Sequence, residues 1–99
     1  MEEALNKQLT LKLIKPDGLV YAGLVYSVTM PGSLGQLTVL PEHEALISRL
    51  EPGIFYYRLV DDEGREIVDK FMIGEGFMEV VDDKVTVLTA SAKRAVAAP

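Results

Sequence analysis

The chain has 99 residues, no cysteine and a net charge of −5. That length holds one domain, the absent cysteines exclude disulfides and thiolate metal sites, and the acidic balance without a Lys/Arg cluster argues against a nucleic-acid footprint. With 48% hydrophobic and 25% charged residues the composition is that of a folded water-soluble protein, and no apolar run approaches the ~20 residues of a membrane helix. The opening Met1-Glu2-Glu3-Ala4-Leu5-Asn6-Lys7 lacks the apolar core of a secretory leader, and its acidic residues speak against a transit peptide. The expectation is one cytosolic domain over 1–99, with any membrane association made through a partner and no direct insertion.

Residues 1–8 read as a frayed lead-in. From Leu9 the chain alternates, with Leu9, Leu11 and Leu13 on one face and Thr10 and Lys12 on the other, which predicts a half-buried strand. Pro16-Asp17-Gly18 stops it as a turn, Leu19 to Tyr21 returns, and Gly23 suggests a bulge or tight reversal. Leu24 to Met30 alternates again, with Leu24, Tyr26, Val28 and Met30 on one side.

The stretch Pro31 to Gly53 is the densest in local constraint. It holds three of the five prolines, three of the eight glycines and the only histidine. Pro31-Gly32, Pro41 and Pro52-Gly53 read as reversals, with short β segments pinned between them. Ile54 to Val60 and Arg65 to Ile73 form a hairpin around the acidic turn Asp61-Asp62-Glu63-Gly64. After a bend at Gly74-Glu75-Gly76, Phe77 to Val81 and Lys84 to Thr89 pair across Asp82-Asp83. Turn signals about every 8–12 residues predict an all-β, antiparallel sandwich of about eight to ten short strands. The only helical composition is Ala90 to Ala98, at most a short C-terminal stub. The sandwich is expected over 9–92, with flexible ends at 1–8 and 93–99.

Catalytic chemistry is hard to assemble from these residues. His43 lies between Glu42 and Glu44, but neighbours in extended chain point to opposite sides, so the three do not converge on a metal. Ser33 and Ser48 are near in sequence, without the Gly-x-Ser-x-Gly elbow of a serine nucleophile. The acidic turns lack the alternating ligands of a calcium loop, and Gly74-Glu75-Gly76 lacks the third glycine and following helix of a phosphate loop. Tyr56 and Tyr57 fall on opposite faces of a strand, leaving one of them as a possible sugar or interface platform. No catalytic residue, metal, nucleotide or cofactor site is expected.

Three motifs in order carry a resemblance. They are Tyr21-Ala22-Gly23-Leu24-Val25, then Val28-Thr29-Met30-Pro31-Gly32 running through Gly35-Gln36-Leu37-Thr38-Val39-Leu40-Pro41-Glu42-His43 and Leu46-Ile47-Ser48-Arg49-Leu50-Glu51-Pro52-Gly53, then Gly76-Phe77-Met78-Glu79-Val80 with Val85-Thr86-Val87-Leu88. Over 9–92 the chain resembles the N-terminal β-sandwich domain of F-type ATP synthase epsilon subunits. The resemblance implies a non-catalytic central-stalk subunit that clamps the gamma subunit to the membrane c-ring, so that ion-driven rotation reaches the catalytic head. By position it implies Gly32, Ser33, Leu34, Gly35 and Gln36 facing the c-ring and Lys15, His43 and Ser48 facing gamma. It also implies a peripheral location on the cytoplasmic face of the bacterial plasma membrane or an equivalent coupling membrane. Gln36 replaces a residue that is often acidic, Glu75 interrupts a usual Gly-Gly pair, and Ala90 stands where Asp is common. The family's helical hairpin has no counterpart in the sequence, so ATP binding is not expected. The alternative from another class is a free-standing carbohydrate- or peptide-binding sandwich.

Overall fold

Alternation of apolar and polar residues buries one face of nearly every strand, and ten strands result. In the computed structural model, which describes residues 7–95, these are β1 (Leu9–Lys15), β2 (Gly18–Val25), β3 (Ser27–Gly32), β4 (Gly35–Val39), β5 (Leu46–Leu50), β6 (Gly53–Val60), β7 (Glu66–Ile73), β8 (Gly76–Val81), β9 (Lys84–Thr89) and β10 (Ala92–Arg94). They form one hydrogen-bonded path, β10-β7-β6-β3-β5-β8-β9-β1-β2, with β4 added on β3. The path folds over on itself at β3. Its N-terminal half pairs with β6, while its last residue, Gly32, pairs with Leu50 of β5. One layer is therefore β10-β7-β6-β3-β4 and the other β5-β8-β9-β1-β2.

The inward residues of both layers, among them Leu9, Leu11, Leu13, Val28, Met30, Val85 and Val87, are buried. At the edge where β2 meets β6, Tyr21 lies 4.4 Å from Tyr57, whose ring stacks on Phe71 at 6.1 Å. Such aromatic pairs add about 0.5–1.5 kcal/mol each beyond their buried area. All strand pairs are antiparallel except β1 with β9, which run parallel from Thr10 and Lys84 to Ile14 and Leu88.

Four local expectations are corrected. Gly23 is no bulge: it pairs in register with Leu11, and the irregularity falls between Leu13 and Ile14. A Cβ at Gly23 would lie 2.7 Å from the Tyr21 hydroxyl, so a larger residue there would have to displace a ring that packs on Tyr57. Leu24 points outward while Val25 is buried, because the bend at Tyr26, whose N–H donates to the Arg58 carbonyl at 2.7 Å, carries the chain from one layer to the other. Pro31-Gly32 lies inside β3, and the reversal is Ser33-Leu34. Finally, within the segment of helical composition, Ala92–Arg94 forms a strand. The free edge of β7 supplies backbone partners, with Gly74 N–H on the Ser91 carbonyl at 2.9 Å and Ala95 N–H on the Lys70 carbonyl at 2.8 Å. Tertiary pairing overrides the alanines' helix preference. Of the expected flexible ends, 1–8 and 93–99, residues 1–6 and 96–99 lie outside the described residues, and β10 takes in Lys93 and Arg94.

Candidate partner interface

The β3–β4 ladder closes at Gly32 and Gly35, leaving Ser33 and Leu34 as the turn. Gly35 has φ +125°, which L side chains rarely adopt, and a Cβ on Gly32 would sit 2.8 Å from the Gly35 carbonyl. Both positions therefore require glycine. The turn is braced from the side by β5. Ser33 N–H donates to the Arg49 carbonyl at 3.1 Å, and Glu51 N–H donates to the Pro31 carbonyl at 2.8 Å. A two-residue turn tied to a third strand is a stiff projection. It is also uncharged from Pro31 to Gln36, and Leu34 at its summit is fully exposed. Beside it, Pro31, Gly32, Gly35, Gln36, Ile54 and Tyr56 line a shallow groove of about 330 Å³.

Lys15, Ser48 and His43 do not form one cluster. Lys15 ends β1 at the tip end of the molecule, its ammonium 3.6 Å from Asp17. Ser48 lies midway along β5 opposite the buried Met78, in an inward row, and its hydroxyl donates to the Arg49 carbonyl at 3.1 Å. His43 is at the far end, in the loop between β4 and β5. Its Nδ1–H donates to the Glu44 carbonyl at 2.8 Å, which fixes the tautomer and leaves Nε2 as acceptor. That loop is docked on the β8–β9 turn. Glu42, at φ 71°, gives its N–H to the Asp83 carboxylate at 2.6 Å, and its own carboxylate meets Lys7 at 2.8 Å. The Glu42 carboxylate is thus spent on a lysine. Among the described residues no three His, Asp or Glu side chains gather as metal ligands.

The acidic β6–β7 turn is likewise self-contained. Asp61 accepts the N–H groups of Arg65 and Glu63, both at 2.9 Å, and the Arg65 Nε–H at 3.1 Å. The Arg65 backbone N–H chiefly holds its carboxyl below the usual range, with help from Glu63 N–H and the Arg65 side chain against a smaller burial effect. This is a carboxylate capping its own turn.

One feature escaped the sequence reading. On the outer face of the β5-β8-β9-β1-β2 layer the register sets Phe77 beside Leu88, Leu88 beside Ile14 and Ile14 beside Leu19. Phe77, Leu88 and Leu19 are more than half exposed, at 53%, 51% and 60%. Arg49, opposite Phe77 on β5, places its guanidinium 5.8 Å from the ring centre. The row runs up to Lys15, Pro16 and Ala90, which with Ile14 and Leu88 border a cleft of about 450 Å³. An apolar row with an Arg at its end has the composition of an interface core. The available signal was Leu88 sharing a strand face with Thr86, and Phe77 with Glu79, but alternation alone does not say which strands lie side by side.

The two neighbouring tyrosines separate as expected. Tyr57 is buried in the core. Tyr56 is half-buried on the opposite layer's outer face, 6.0 Å from each of the Arg58 and Lys70 charges. A single ring between two cations is a poor sugar platform.

Comparison with known proteins follows the same lines. Residues 8–95 match the family model described as ATP synthase, Delta/Epsilon chain, beta-sandwich domain. The chain is 38% identical over 84 residues to the ATP synthase epsilon chain of Nitratiruptor sp., covering 85% of this chain and 62% of the relative. It is 40% identical over 91 residues to that of Nitratidesulfovibrio vulgaris, covering 92% and 64%. The chain thus spans a little under two thirds of the curated relatives it matches. A chain in the Euglena gracilis mitochondrial ATP synthase OSCP/F1/c-ring structure superposes with TM-score 0.77 at 28% identity, covering 88% of this chain and 53% of that one. A chain from the Tetrahymena thermophila central stalk and c-ring structure shares the fold, with TM-score 0.69 at 19% identity, over 88% and 67%. With this match over nearly all the described strands, the chain belongs to the family of ATP synthase delta/epsilon chain β-sandwich domains.

Proposed function

We propose that the chain is a non-catalytic rotor element of an F-type ATP synthase, an epsilon-type domain that joins the gamma subunit to the c-ring and passes rotation between them. The observation that carries this reading is the pairing of two unlike surfaces on one rigid sandwich. The braced, uncharged tip at Gly32, Ser33, Leu34, Gly35 and Gln36 suits a contact on the short loops of the ring. The Phe77–Leu88–Ile14–Leu19 row, bordered by Lys15, suits a side-on contact with gamma. Ser48 belongs to the strand that supports both, and His43 marks the other end of the gamma-facing side. Its relatives are epsilon chains, and its structural neighbours come from ATP synthase assemblies that include the c-ring. On this reading the domain is held at the membrane by its partners, on the cytoplasmic side of a bacterial coupling membrane, and binds no cofactor.

The test is recovery of partners from bacterial membranes with the tagged chain. Gamma and ring subunits are expected to co-purify. Phe77→Glu is expected to lose gamma with the fold intact. Substitution at the tip is expected to weaken the ring contact alone. Recovery of neither subunit by the folded chain, together with binding of soluble glycans, would sink the proposal in favour of a carbohydrate-binding module.

A further inference from the structure

Among the described residues three strands have a neighbour on one side only: β2 and β10 at the ends of the path, and β4 on β3. An open edge invites pairing with another chain, and proteins guard it with short strands, charges or a covering segment. β10 is three residues long and carries Lys93 and Arg94. It is also anchored where the chain arrives from β9, by the buried Thr89 hydroxyl, 3.0 Å from the Gly74 carbonyl, 3.3 Å from that of Glu75 and 3.0 Å from that of Ser91. β4 is five residues long. β2 has no such guard. It runs for eight residues, Gly18–Val25, and is uncharged throughout. It opens a stretch, residues 18–41, without one charge in a chain that is a quarter charged.

The register fixes which backbone groups of β2 face outward. Thr10 gives its N–H to the Asp83 carbonyl at 2.8 Å, on the β9 side. Its backbone groups therefore point away from β2, and in an antiparallel ladder those of its opposite residue, Leu24, point away from β1. Alternation extends this to Ala22, opposite Lys12. Gly23 and Val25 bond back to β1, while the N–H and C=O of Ala22 and Leu24 stand at the free edge with no backbone partner among the described residues. The irregularity between Leu13 and Ile14 lies toward the tip, so residues 21–25 are regular. The side chains also suit a neighbour. Leu19 and Leu24 are 60% and 56% exposed, and Leu19 ends the row that crosses the layer from Phe77. On the inner face Val20 and Tyr21 are only partly buried against the core.

We propose that the edge of β2 receives an extended strand of the gamma subunit, which becomes a sixth strand of the β5-β8-β9-β1-β2 layer. This rests on the reading of the Phe77–Leu88–Ile14–Leu19 row as the gamma contact, and that row leads straight into the edge. One partner then covers the row with side chains and the edge with backbone. The added strand exchanges N–H···O=C bonds with Ala22 and Leu24, and these give affinity whatever its side chains. Its side chains beside Leu19 and Leu24 are uncharged, because a charge there would lose water and find no counter-charge on β2. Those on its other face lie beside Tyr21 and complete the cover of the core's margin.

Amide hydrogen exchange read by NMR, on the whole chain alone and with isolated gamma subunit, tests this. In the free chain the Ala22 and Leu24 amides are expected to exchange fast and those of Gly23 and Val25 slowly. With gamma bound, Ala22 and Leu24 are expected to slow by roughly tenfold or more. Ala22→Pro removes an N–H that β1 does not use, so the fold should survive, and gamma binding is expected to weaken by roughly 10- to 100-fold. Ala22→Val, which keeps that N–H, is expected to bind within about threefold of the original. Should Ala22→Pro unfold, the exchange comparison decides by itself. Fast Ala22 and Leu24 amides in the gamma complex, or Ala22→Pro binding as well as Ala22→Val, would overturn the added strand. The side-on contact would still stand if Phe77→Glu lost gamma. No binding of gamma by the folded chain would overturn both. Protection of these amides in the free chain that disappears on dilution would give the edge to a second copy and overturn its assignment to gamma.

Discussion

Leu34 offers the sharpest test of how the tip works. It is fully exposed and touches nothing that the fold needs, so Leu34→Ala should leave stability within about 0.5 kcal/mol of the original. If the tip seats on the ring, this side chain is the one apolar group at its summit and becomes buried on docking. Leucine carries about three more carbons than alanine, at about 0.8 kcal/mol each, so the change should cost up to about 2.4 kcal/mol of binding, roughly 50-fold in Kd. The assay is binding to isolated c-ring, alongside thermal melting of the variant. Because residues 31–36 carry no charge, the affinity should also change little between about 0.05 and 0.5 M salt, unlike a contact made by ion pairs. An unchanged Kd in Leu34→Ala would show that the leucine is not buried on docking. A steep loss of affinity with salt would show that charges elsewhere carry the contact, and a large fall in Tm would make the leucine structural.

Other outcomes follow from the packing. A Cβ on Gly76 would overlap the Leu88 carbonyl oxygen and lie 2.8 Å from Thr89 Cα, all backbone, so Gly76→Ala should cost about 3 kcal/mol or more and lower Tm by roughly 12–24 °C. Thr89→Val keeps the shape but removes the hydroxyl shared by three carbonyls, and should cost about 1–3 kcal/mol in denaturant unfolding. Tyr57 has its phenol pKa raised by burial and then by Asp69. The unfolded chain gives up this proton near pH 10 while the folded one keeps it, so the tyrosine's contribution is intact below about pH 10 and falls above it by at most about 1.4 kcal/mol per pH unit. Tyr57→Phe should flatten the alkaline stability profile by that amount, and an unchanged slope would mean that the phenol titrates normally.

Much of the sandwich was legible because alternation and turn chemistry are local. Leu9-Leu11-Leu13, the Asp82-Asp83 turn with both residues at positive φ and the division of Tyr56 from Tyr57 all follow from a few neighbouring residues. The misreadings came where distant residues decide. Gly23 makes room for a ring two residues away that is pressed inward by the facing layer. Pro31 is tolerated inside β3 while its carbonyl is used by Glu51. The alanine-rich segment becomes a strand because β7 had an edge to pair. The tip residues could be located from their motif, whereas the apolar row beside gamma's expected position is assembled from four strands and is invisible until their order is known.

The parallel pairing of β1 with β9 also governs how the chain comes to be folded. Thr10 must wait for Lys84, 84 − 10 = 74 positions later, and at typical synthesis speeds this takes roughly 4–15 s. Until then β1 has only the β2 hairpin on one side, and its other edge stands open with Leu9, Leu11 and Leu13 uncovered. Closure of that layer is a late event set by loop-closure entropy, which places folding in the slow range of about milliseconds to seconds expected of β-proteins with distant pairings. A newborn chain is therefore most exposed to mispairing along β1, and substitutions in β9 that weaken this ladder should lower the yield of folded protein before they measurably lower its stability.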